Sequence, residues 1–212
     1  SAMLLIMLVG GRIIPSFTRN WLARRPPGRL PAPFGTADKL TLAVSVPALL
    51  AWIAGPEARV TGMLLLAAGI ANLYRLARWA GWRCLAEPLV GLLHLAYLFV
   101  PAGFLLVGLH VFGSDAVPRS AAVHAWTGGA ILLMTLAVMT RASLGHSGMP
   151  LTAGWRISGI YLLAIASALS RIAAGFLPAW DWLLHLAALC WILAFLGFAA
   201  VYAPLFFRPK AG

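Results

Sequence analysis

Residues 85–109 read LAEPLVGLLHLAYLFVPAGFLLVGL, with one formal charge, Glu87, near the start. A helix of this length rises about 37 Å, enough to cross a hydrocarbon core of ~30 Å. The run has neither the alternation of a half-buried strand nor the polar stripe of a surface helix. It is a membrane-spanning helix, and its composition is typical of the rest. Of the 212 residues, 62% are hydrophobic and 10% are charged, and the mean hydropathy is +0.91. Soluble domains carry about 25% charged residues. The fold class is therefore all-α, a polytopic transmembrane helical bundle forming one membrane domain.

Outward from that helix, further apolar segments fall at 40–54, 58–74, 121–140, 157–174 and 182–207. With 85–109 they make six full spans. A shorter run at 3–14 reads as a truncated N-terminal segment. Residues 15–39 form a loop rich in proline, arginine and glycine. No signal peptide stands out, and the chain is expected to begin inside a helix of a longer protein.

The net charge of +11 has a topological reading. Alternating sides along these segments puts 13 of the 16 Lys and Arg on one side, and only Arg59, Arg119 and Arg171 on the other. The positive-inside rule makes the first side cytoplasmic, with the C-terminus on it. The charge belongs to topology and lipid contact, so nucleic acid is not an expected partner and the bilayer is. Trp79 and Trp82 at one end, and Trp180 and Trp182 at the other, read as interfacial anchors. Cys84 and Cys190 form no C-x-x-C-H, which excludes covalent haem by that route. No phosphate loop, nucleophile elbow or H-E-x-x-H is present.

Ionisable groups inside spans are costly and are candidates for function. His94 lies nine residues into its segment, about 14 Å along the helix. Tyr97 follows on the adjoining face, and Pro101 is placed to kink the helix. Glu87 is expected to pair with Arg83 or Arg78. His124 and His146 lie 22 residues apart, about 40° round an ideal helix but ~33 Å along it. Both serve one site only if the helix breaks at Gly145. His110, His124 and His185 fall towards the other face. Asp181 either orients His185 or pairs with Arg171, and the pair is the favoured reading. Met134, Met139 and Met149 offer weak thioether support for copper.

The stretch VHAWTGGAILLMTLAVMTRASLGHSGMPL, residues 123–151, resembles the signature of the NnrS family. The L-H-x-x-Y element at His94 and Tyr97, GGRIIPSFTRNWL near the start and WILAFLGFAAVYAPLFFRPKAG at the end resemble other elements of that family, in the same order. The resemblance implies a multi-pass bacterial inner-membrane protein associated with denitrification, nitric oxide and nitrosative stress. It implies non-covalent b-type haem and copper as cofactors. It also implies that this chain is the C-terminal half of a longer protein, with the N-terminal half as its partner. By motif position, His94, His124 and His146 are the implied metal ligands, with Tyr97 and Arg141 beside the cofactor and Arg141 placed for a haem propionate. Ser147 stands where threonine is common, and Met149 where arginine is expected. Alternatives are an oxidoreductase reducing nitric oxide with quinol, and a transporter of copper, haem or a small molecule.

Overall fold

A computed structural model describes residues 2–113 and 116–206. Arg208 and Lys210, counted above among the basic residues, lie outside them. Among the described residues, seven helices are long and apolar enough to cross a membrane: α1 Ala2–Leu22, α2 Thr36–Ala54, α3 Arg59–Ala77, α4 Pro88–Val111, α5 Arg119–His146, α6 Trp155–Phe176 and α7, which runs Trp182–Phe206. The all-α membrane bundle expected from hydropathy is the architecture found.

Its first segment is longer than expected. α1 continues through Pro15 to Leu22, because its buried face (Met7, Ile14, Thr18, Leu22) packs on α4 and α5 and outweighs the one hydrogen bond that proline forfeits. The basic loop starts only at Ala23 and folds back on the bundle. Arg83 donates to the carbonyls of Pro26 and Arg29, at 2.7 Å each.

α4, the helix of the opening stretch, lies at the centre. It packs against α3 on one side and α5 on the other, with α1 crossing it. Lipid tails give helices no hydrophobic incentive to associate, so close backbone approach matters. Glycines supply it here: β-carbons at Gly69 and Gly108 would fall 2.7 Å from Leu105 and 2.9 Å from Leu66. Trp126 of α5 takes the space left by Gly103 and donates its indole N–H to the Val100 carbonyl at 3.1 Å. α7 packs mainly on α6.

Two helices carry π-helical segments, Ile6–Gly10 in α1 and Ala125–Leu132 in α5. The second corrects the expected geometry of His124 and His146. α5 does not break at Gly145 but runs to His146. The wider turns of the π segment spoil the 100° spacing that put the two histidines on one face.

Candidate metal and haem sites

Between α3 and α4 the chain turns sharply. Ala80 takes a left-handed conformation, φ 52°, and leads into a 3₁₀ turn, Gly81–Cys84. The turn lays Gly81 on His94. A β-carbon at Gly81 would lie 2.5, 2.8 and 2.9 Å from Nδ1, Cγ and Cε1. Three such similar distances put it over the face of the ring. An atom along the in-plane lone pair of Nδ1 would stand much further from Cγ and Cε1. Gly81 thus covers the imidazole without blocking Nδ1 in its plane.

The other ring nitrogen is committed. His94 Nε2 is 2.8 Å from Thr18 Oγ1 of α1, and Thr18 Oγ1 is 2.8 Å from the Ile14 carbonyl. A hydroxyl has one hydrogen. Both contacts carry one only if Thr18 donates to Ile14 and His94 Nε2–H donates to Thr18. Nδ1 is then a bare lone pair, and it is buried with no hydrogen-bond partner. His94, 7% exposed, lines an apolar cavity of about 260 Å³ with Leu76, Gly81, Leu85 and Leu98.

Trp79 packs edge-on against both His94 (6.4 Å between centroids) and Tyr97 (4.6 Å). It is fully buried, which corrects its reading as an interfacial anchor. Trp82, Trp180 and Trp182 are exposed and keep that reading. The Tyr97 hydroxyl donates to Asn72 Oδ1 at 2.8 Å and accepts from Arg75 Nη1 at 3.1 Å. Arg75, with no exposed surface, also donates to Asp38 Oδ1 and to the Met7 carbonyl, both at 2.8 Å. Gly11 makes room for this guanidinium: a β-carbon there would overlap Nη2. Arg78 reaches the second oxygen of Asp38 at 3.2 Å.

Glu87 does not pair with Arg83 or Arg78, which are engaged elsewhere. Its carboxylate accepts from the backbone N–H of Leu89 at 3.2 Å and of Ala153 at 3.0 Å. It caps α4 and ties it to the start of α6. Outside the spans, burial pushes the Cys84 thiol above its ordinary pKa, with the Arg83 charge pulling the other way.

The motif histidines are far apart. His124 is half-buried near the opposite end of the bundle. The level of Trp126 is that of Val100, six residues and about 9 Å beyond His94, and His124 lies further out still. Metal–nitrogen bonds are ~2 Å, so His94 and His124 cannot share one metal ion. His124 Nδ1 is 3.2 Å from Thr127 Oγ1, whose hydroxyl donates to the Val123 carbonyl at 3.2 Å. The same hydrogen count assigns the proton to Nδ1 and leaves Nε2 as the lone pair. His146 is exposed at the other end of α5. Arg141, five residues before it, stacks its guanidinium 3.9 Å over the Phe17 ring.

His110 Nδ1 donates to the Val117 carbonyl at 2.9 Å, which gives it a loop-bracing task. Asp181 and Arg171 share a groove but make no ion pair among the described residues. No cluster of three or more His, Cys, Asp or Glu able to hold a metal occurs among the described residues. Residue typing from sequence missed Thr18, Asp38, Asn72 and Arg75. Asn72, an amide in the middle of an apolar span, was the readable signal.

The family model described as NnrS protein matches residues 1–210. No curated protein and no solved structure matches the chain.

Proposed function

The chain belongs to the NnrS family, and from that premise we propose that it is a haem- and copper-binding protein of the bacterial inner membrane, acting in the response to nitric oxide. The observation that carries this reading is the orphaned Nδ1 of His94. Burying an imidazole acceptor with nothing to bond is costly. A metal ion relieves that cost, and the hydrogen-bonded second nitrogen is the usual companion of a metal-bound histidine.

When bound, haem iron and copper supply a place for nitric oxide and one-electron chemistry. The chain's residues supply position and surroundings. Thr18 fixes the tautomer and plane of His94, and Gly81 and Trp79 pack against its ring. The Asp38–Arg75–Tyr97 chain ties α1, α2, α3 and α4 together beside it. His124 and His146 offer further imidazoles at the two ends of α5, and Arg141 supplies positive charge next to His146. The arginine-rich end, with the C-terminus, faces the cytoplasm.

The test is an absorption spectrum and metal analysis of the protein purified in detergent from cells given haem and copper. A Soret band and bound copper are expected, with part of the metal or of the band lost in His94→Ala. A preparation holding neither cofactor would overturn the proposal.

A further inference from the structure

At the end of the bundle away from His94, two cavities of about 270 and 210 Å³ meet at His124 and Arg171. Together they reach the size of small-molecule sites. One wall is the π-helical segment of α5, where Gly128 presents no side chain. The facing wall is Ala168, Ala187 and the exposed Trp191. Ser167 donates to the Ala187 carbonyl at 2.8 Å and locks α6 to α7 beneath the groove. Asp181 stands at the outer rim.

We propose that this groove seats a flat, carboxylate-bearing metal chelate, a metalloporphyrin entering from the bilayer, with His124 Nε2 as axial ligand and Arg171 as the partner of a carboxylate. The proposal rests on the haem reading above and moves the carboxylate partner. Arg141 lies 17 residues along α5 from His124, about 25 Å. It is therefore out of reach of any ligand on that histidine, whereas Arg171 lines the same cavities. The chemistry is specific. A lone pair on His124 attracts a metal and repels a bare anion. Arg171 matches a carboxylate through paired N–H donors. Gly128, Ala168 and Ala187 line the larger cavity with little or no side chain, which leaves room for a ring.

The experiment titrates the purified 212-residue chain, in nanodiscs of neutral lipid, with haemin and with its dimethyl ester, which lacks free carboxylates. Folding of each variant is checked by circular dichroism. Arg171→Gln is expected to weaken haemin about tenfold while leaving the ester unchanged. His124→Ala is expected to weaken haemin and to remove the groove's share of the axial-imidazole spectrum, and Arg59→Gln, exposed at the start of α3, to alter neither affinity. If haemin binds wild type but is indifferent to both His124→Ala and Arg171→Gln, the groove is not its seat and the haem reading stands through another site. If wild type takes up neither haemin nor copper, that reading falls together with this one. Displacement of haemin by anionic phospholipid, in His124→Ala as in wild type, would assign the groove to lipid and overturn the proposal.

Discussion

Thr18 Oγ1 and His94 Nε2 lie 2.8 Å apart across α1 and α4, and the hydroxyl spends its single hydrogen on the Ile14 carbonyl. Thr18 is thus a positioning residue. Thr18→Val is expected to free Nε2, mix the two tautomers and lower metal affinity about 10–100-fold, the usual cost of losing an outer-shell partner. Thr18→Ser should restore both. Nitrogen NMR of the metal-free protein reads the tautomer directly. A single unshifted Nε2–H form in Thr18→Val would sink the assignment.

The Asp38–Arg75 pair makes a second prediction. Removing one member of a buried ion pair strands the other and costs about 3–5 kcal/mol. Asp38→Asn is expected to lose stability on that scale, read by denaturation in mixed detergent. Asp38→Leu with Arg75→Met should recover most of it, since an apolar replacement leaves no stranded charge. Tyr97→Phe removes only a hydroxyl shared by Arg75 and Asn72 and is expected to cost about 0.6–1.7 kcal/mol. Equal losses for Asp38→Asn and the double variant would mean that the pair is not coupled.

The contrast between these two relationships shows what was legible in the sequence. Hydropathy marked the spans, because length and apolar content are one-dimensional properties. The match at 123–151 singled out His124, Arg141 and His146 as a group. Their spatial separation was half-visible as axial distance, and the π segment at 125–132 then removed the shared face. Side-chain direction was not legible. Arg75 was counted as one more positive charge near a helix end, yet it turns inward because Asp38 and the Met7 carbonyl wait there. Trp79 lies just before a turn, where an anchor would sit, and is buried against His94 and Tyr97. No periodicity rule shows that Thr18, 76 residues away, meets His94.

Neighbouring residues in the turn over His94 are predicted to respond in opposite directions. Ala80→Gly relieves a left-handed alanine, worth about 1–2 kcal/mol, against about 0.5–1 kcal/mol of added chain entropy in the unfolded state. It should hold or slightly raise the melting temperature. Gly81→Ala drives a methyl into the face of the imidazole. It is expected to cost about 1–3 kcal/mol as overpacking and to tilt the ring, shifting the His94 ring resonances. A silent Gly81→Ala would show that the turn does not rest on His94.

Cys84 ends that same turn, and burial holds its thiol above the ordinary pKa, which is about 8.5. Below the unfolded value, folded and unfolded chains are both thiols and the contribution to stability is fully present. As pH rises from there towards the folded value, the unfolded chain ionises first, binds fewer protons than the folded one, and stability is lost. Wild type is therefore expected to lose stability between about pH 8 and 10 more steeply than Cys84→Ala. In a Cys190→Ala background the folded protein should resist iodoacetamide at pH 8 and react promptly once denatured. The reagent needs a thiolate and access, and the folded turn denies both. Alkylation of folded protein at the rate of a free thiol would place Cys84 at the surface and separate the turn from α1.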